Sequence, residues 1–153
     1  LREGFETGAI PEFRAYDSIR METPYGAGSR VDALLSGPEG LFYVEAKNVT
    51  LLEGGCALFP DAVTARGAKH LDELASMARE GRRAAVFFLV QRIEADCAGI
   101  AAHIDPVYAG RLERALGEGV EALAWRARIT PEEISLDRPL PFVGAVRGTI
   151  GRK

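Results

Sequence analysis

The chain has 153 residues, 47% of them hydrophobic and 27% charged. That is ordinary globular composition for one domain, and it excludes global disorder. A net charge of −3 excludes a global basic field that would draw the whole chain onto nucleic acid or anionic lipid. No apolar run approaches the roughly 20 residues that span a bilayer.

The opening stretch, Arg2 to Phe5, reads as helical until Gly8 and Pro11 break it. Tyr16 to Glu22 reads as extended, and Thr23–Ser29 as a turn-rich closure. Arg30 to Leu35 is predicted as a short strand and Ser36–Gly40 as a hairpin turn. Leu41 to Asn48 is the strongest strand. Alternation puts Leu41, Tyr43, Glu45 and Lys47 on one face and Phe42, Val44 and Ala46 on the other. Val49 to Val63, with Gly54-Gly55 and Pro60, is expected to be irregular.

A helix is predicted from Thr64 to Glu80, with Leu71, Leu74, Ala75 and Ala78 at helical spacing. Ala84 to Arg92 is nearly all apolar, as a strand buried on both faces should be. Asp105-Pro106 starts a further helix that ends at Gly117 and Gly119, and Val120 to Ile129 alternates as a strand. Ile134 to Leu136 adds a small edge piece before a basic tail. The fold class expected is α/β, a mixed sheet flanked by helices.

Three compositional details bear on setting. The first residue is Leu1, without a basic n-region and apolar h-region, so no signal peptide is expected and the chain reads as part of a longer protein. Cys56 and Cys97 lie far apart without a CxxC or a His-rich partner, which suits reduced thiols in a cytoplasmic interior and argues against a disulfide scaffold or zinc site. Sixteen Arg stand against three Lys, at 47, 69 and 153, so each retained lysine invites a local reason.

The chemistry concentrates on two adjacent predicted strands. Asp32 stands in Arg30-Val31-Asp32-Ala33, and thirteen residues later comes Val44-Glu45-Ala46-Lys47. Pairing across the turn brings Asp32 next to Glu45, with Lys47 on the same face as Glu45. Two neighbouring carboxylates are costly unless something positive neutralises them. Oxygen ligands suit Mg²⁺ or Mn²⁺, with Asp32, Glu45 and the Ala46 carbonyl as donors. Asp61 is a candidate further ligand, with helix capping as the alternative. In a phosphoryl-transfer site Asp32, Glu45 and Lys47 would be catalytic, Lys47 orienting the nucleophile.

Arg66, Lys69, His70 and Glu73 fall at helical spacing as one polar stripe. Arg66 and Lys69, together with Arg92 at the end of the buried strand, are candidate phosphate contacts. A solvated helix face and a carboxylate-paired Arg92 are the alternatives. His70 reads as a hydrogen-bonded structural histidine, His103 receives no role, and Trp125 reads as core. Arg147, Arg152 and Lys153 suit a basic tail.

The spacing of Asp32 and Glu45-x-Lys47 resembles the PD-(D/E)XK nuclease-like superfamily. A longer resemblance rests on Tyr16–Arg20, Gly28–Asp32, Val44–Leu51, Phe59–Leu71, Val90–Arg92 and Leu136–Pro141 in order. With these segments the chain resembles the C-terminal domain of the SfsA (sugar fermentation stimulation) family. The resemblance implies a restriction-endonuclease-like fold, a preceding OB-like domain absent from this chain, DNA binding, and a part in regulating sugar or maltose metabolism. It also places the family's acidic helical position near Glu3. A metal-dependent nuclease site is the first functional reading, acting on DNA and with a homo-oligomer as a further expectation. A non-catalytic regulator using the same groove as a phosphate clamp is the rival. An enzyme of a small phosphorylated or carbohydrate metabolite is the third.

Overall fold

The computed structural model describes residues 1–26 and 28–146. The basic positions Arg147, Arg152 and Lys153 lie outside the described residues. A short helix, α1 (Arg2–Thr7), and a 3₁₀ turn (Pro11–Phe13) lead into β1 (Ser18–Tyr25), β2 (Ser29–Gly37) and β3 (Gly40–Val49). Then come β4 (Leu51–Glu53), β5 (Cys56–Phe59), α2 (Ala65–Arg79), β6 (Arg83–Val90) and β7 (Cys97–Ala101). The described chain ends with α3 (Pro106–Gly117), β8 (Glu121–Ile129), β9 (Ile134–Pro139) and β10 (Phe142–Val146).

Six strands form one sheet in the order β1-β2-β3-β6-β8-β9. The meander β1-β2-β3 is antiparallel, β3, β6 and β8 run parallel, and β9 returns antiparallel at the edge. Central β6 carries the apolar run: Ala84, Val86, Phe88 and Val90 enter one core cluster with α2 and α3, while Ala85 and Phe87 enter the other. That second cluster, on the opposite face, is closed by Ile10 and Phe13. Each large side chain buried this way contributes about 1.5–3 kcal/mol. The α/β class, with helices flanking a mixed sheet, is the one the sequence predicts.

A second sheet, β10-β7-β5-β4, was not expected. It occupies the supposedly irregular 49–63 segment, where Gly54 and Gly55 form the β4–β5 hairpin, and is completed by parallel pairing of β5 with β7 and β7 with β10. Its strands are three to five residues long, too short to show a period. Backbones pass so closely that a Cβ at Gly99 would lie 2.7 Å from the Gly144 carbonyl oxygen. The cysteine reading also needs correction. Cys56 and Cys97 are opposite one another in the β5–β7 register and are joined as a disulfide, with Cα atoms 4.7 Å apart. Forty-one residues of sequence concealed a neighbour relation made by the sheet.

Candidate metal centre

The site is built where β2 and β3 part. Their ladder runs from Gly37↔Gly40 to Ala33↔Val44 and stops there, although the next step would set Asp32 against Glu45. On the other side of β2, the β1 ladder omits the pair Glu22 and Asp32, and Glu22 takes a left-handed backbone (φ 51°) with its carbonyl capped by Arg30. Alternation breaks at the same place, since Val31 and Ala33 enter opposite core clusters. Asp32 is thereby released from regular pairing. Its Oδ2 accepts from the Ala46 amide at 2.7 Å, a bond that replaces the missing ladder rung. Because N–H and C=O of one strand residue point the same way, the Ala46 carbonyl opens onto the same gap.

Glu45 is 5% exposed and its two oxygens have different surroundings. Oε2 receives Lys47 Nζ at 3.1 Å and His70 Nδ1 at 2.9 Å. Oε1 is buried with no hydrogen-bond partner among the described residues. An anion buried with one oxygen bare retains strong affinity for a cation. Lys47 lies on the same side as Glu45, as alternation requires, and its side chain is mostly buried. Two phenols close the surroundings: Tyr25 and Tyr108 are buried with hydroxyls unpartnered. Burial first, then the charge of Glu45, pushes both well above the ordinary phenol range, so both stay protonated. Glu73 and Asp32 add to the negative charge that Tyr25 feels.

The helix α2 delivers His70 because its N-terminus is fixed. Thr64 caps it, accepting from the Gly67 amide at 3.0 Å, and the Thr64 amide in turn donates to Asp105 Oδ2 at 2.9 Å. The cap is therefore Thr64 and not Asp61, which lies exposed in the preceding loop. The polar stripe of α2 is divided. Arg66 and Lys69 are exposed, His70 is buried and Glu73 half-buried. Gln91 Nε2 donates to Asn48 Oδ1, while Arg92 is held by the Thr50 carbonyl at 2.9 Å and by Glu94 at 3.3 Å. Trp125 is core, as expected, and His103 pairs with Glu53 at 3.1 Å, a partner the sequence did not reveal. On the opposite face, Glu3 and Ala46 line a common cavity of about 140 Å³.

Asp32, Glu45 and Lys47 thus lie on adjoining strands, His70 is the buried, hydrogen-bonded histidine the sequence suggests, and Glu73 is a neighbour to which the sequence assigned no role of its own. The helical spacing of the stripe was its only signal. The donor set fits a hard divalent cation: carboxylate and carbonyl oxygens, one of them buried and bare. Among the described residues no three His, Cys, Asp or Glu side chains form a ready-made cage, so such an ion would keep several waters.

A mixed sheet with an acid on one splayed strand and Glu-x-Lys on the next defines a restriction-endonuclease-like α/β domain. Comparison with known proteins then fixes the family. The family model described as "Sugar fermentation stimulation protein RE domain" matches residues 1–133, and the chain belongs to this family, SfsA. It is 56% identical over 143 residues to the "Sugar fermentation stimulation protein homolog" of Pelobacter propionicus, covering 94% of this chain and 62% of the relative. The homolog of Geobacter sulfurreducens is 55% identical, covering 94% of this chain and 61% of the relative. Among solved structures, that of Pyrococcus furiosus SfsA in complex with Ca²⁺ has a TM-score of 0.85 at 31% identity, over 92% of this chain and 61% of the other. The chain accordingly spans about three fifths of the length of these relatives.

Proposed function

We propose that this domain is a divalent-metal-dependent phosphodiesterase module acting on DNA, with Asp32, Glu45 and Lys47 as its working residues. The observation that carries the reading is the division of labour at Glu45. One oxygen accepts from Lys47 and His70, the other is buried without a partner among the described residues, and Asp32 accepts from the amide of the next residue along, Ala46. The relative from Pyrococcus furiosus is a complex with Ca²⁺, which supports a divalent cation as a ligand of the family, and Mg²⁺ or Mn²⁺ is the working ion in this proposal.

Asp32, Glu45 Oε1 and the Ala46 carbonyl would hold the ion, with Asp61 as a further ligand supplied from its loop. When bound, a divalent ion lowers the pKa of a water and offsets charge on phosphate oxygens. Lys47 holds the attacking water against the phosphorus and stabilises the negative charge that grows there. The water gives up a proton to solvent as its oxygen forms the new P–O bond and the opposite ester bond breaks, and the departing oxygen takes a proton from solvent. His70 keeps Glu45 from rotating. Exposed Arg66 and Lys69 meet the phosphate backbone, and Arg92 joins them on leaving Glu94. With a net charge of −3 the domain binds DNA through phosphates alone, weakly and without sequence preference. In the whole protein, an upstream OB-like module would supply further affinity, and a role in controlling sugar metabolism follows from that context.

Metal-dependent nicking of supercoiled plasmid tests the reading. Wild type should nick with Mg²⁺ or Mn²⁺, and Glu45→Gln should not. Lys47→Arg should also be inactive while retaining DNA binding, because the wide guanidinium fork cannot take the place of a compact ammonium. Lys69→Arg should keep most activity. Nicking that survives Glu45→Gln and Lys47→Arg alike would remove the assignment. Salt-dependent DNA binding with no nicking under any metal would favour a phosphate clamp.

A further inference from the structure

Among the described residues four buried side-chain polar atoms lack partners, and besides Tyr108 Oη on α3 they are Glu45 Oε1 on β3, Tyr25 Oη at the end of β1, and Glu73 Oε1 on α2. Tyr25 is 8% exposed. Its ring lies 5.7 Å from that of Tyr43, which shares a face with Glu45 two residues on. The Glu73 carboxylate rests against the residue after Tyr25, where a Cβ on Gly26 would stand 3.2 Å from Oε2. The charges of Glu45, Glu73 and Asp32 all bear on the Tyr25 hydroxyl, after burial, and help keep it protonated. Each bare buried polar atom has lost its hydration without gaining a partner in exchange. Two of these belong to like-charged groups, which raises the cost. Lys47 and His70 meet Glu45 at Oε2, so they offset part of its charge but leave Oε1 and the Glu73 carboxylate without a donor.

We propose that Glu73 is a cation-binding residue of the Asp32/Glu45 site, facing the hydrated side of the ion, with the Tyr25 hydroxyl anchoring the water between them. The inference rests on the metal reading above and extends it to α2. It gives partners to three of the four bare atoms at once: the ion faces Glu45 Oε1, its water donates to Glu73 Oε1, and Tyr25 donates to that water. A partly hydrated ion needs such outer acceptors, because the protein offers no complete cage. It also makes α2 a part of the site, so that the helix carrying Arg66 and Lys69 is positioned by the ion.

Calorimetric titration of the chain with MnCl₂ decides the matter. Glu73→Gln should weaken Mn²⁺ binding by about tenfold or more with stoichiometry unchanged, the range found for outer-shell partners. Its melting temperature without metal should be unchanged or higher, since a like charge is gone. Tyr25→Phe should lose less affinity and no stability. Should Glu73→Gln fail to fold, Glu73→Asp keeps the charge on a shorter stem and should bind Mn²⁺ more weakly than wild type. Wild-type affinity in the Glu73 variants, with binding lost in Glu45→Gln, overturns this inference and leaves the proposed site standing. Wild-type affinity in Glu45→Gln as well overturns both.

Discussion

Two buried carboxylates meet the N-terminal half of α2, Asp105 at its cap and Glu45 at His70, and their surroundings are opposite. Asp105 is 2% exposed and both its oxygens are used: Oδ1 accepts from the Tyr108 amide and Oδ2 from the Thr64 amide, each at 2.9 Å. One side chain thereby caps α3 and ties the N-terminus of α2 to it. Glu45, buried to nearly the same degree, has one oxygen satisfied by two cationic or donor groups and the other by none. Burial alone does not separate an acid that builds the fold from one available for chemistry. Satisfaction does, because a saturated carboxylate has nothing left to offer a ligand.

The largest effect should come from breaking the saturated acid. Asp105→Ala leaves two buried amides without acceptors and removes a helix cap, a loss of about 2–4 kcal/mol. At this chain length that corresponds to a fall in Tm of roughly 5–15 °C. Asp105→Asn retains one acceptor and should fall less. Neither should change Mn²⁺ affinity in the fraction that remains folded, measured by calorimetry below the transition. A loss of Mn²⁺ binding in Asp105→Asn would show that the two acids are not separable as drawn.

Next comes the bare acid and its neighbour. A cation that binds only the folded state stabilises it by about 2.7 kcal/mol at a hundredfold excess over Kd. Thermal melts of wild type should rise with Mn²⁺ accordingly. Asp32→Asn keeps an oxygen to accept the Ala46 amide, so its fold without metal should survive, but its Mn²⁺ shift should vanish. Equal shifts in wild type and Asp32→Asn would sink the site.

How far this contrast was legible in the sequence differs between its two halves. Asp105-Pro106 announced a helix start, and the meander, α2, β6, α3 and β8 all followed from period and punctuation. The Asp32 and Glu-x-Lys segments lie on the neighbouring strands β2 and β3, as expected, since register across a hairpin is local. What the sequence hid was made by long-range pairing. The strands β4, β5, β7 and β10 are too short for a periodic signal, and the Cys56–Cys97 link exists only because β5 and β7 are neighbours. The polar stripe on α2 was seen, but not that the helix buries His70 and half-buries Glu73, because that depends on where the sheet lies beneath it. Nor can a sequence reveal that an oxygen lacks a partner.

The smallest effect is expected from a third acid, one paired at the edge of the sheet. Asp137 on β9 accepts from Arg126 at 2.8 and 2.6 Å and from Arg128 at 2.9 Å. Arg126 first, then Arg128, holds its carboxyl below the ordinary carboxylate range. A group whose pKa is lowered on folding contributes stability above its unfolded pKa and loses it as pH falls through the lowered value. The β8–β9 pairing should therefore be firm at neutral pH and loosen in acid. Asp137→Asn should melt slightly below wild type at pH 7, because edge ion pairs contribute little and are screened by salt. The difference should narrow as pH drops below the carboxylate range, where wild type loses the same charge, and should also narrow in high salt. Since both Asp137 oxygens are already taken, this variant should titrate with Mn²⁺ as wild type does. A Mn²⁺ defect in Asp137→Asn would mean that saturation of the oxygens does not distinguish structural acids from the site.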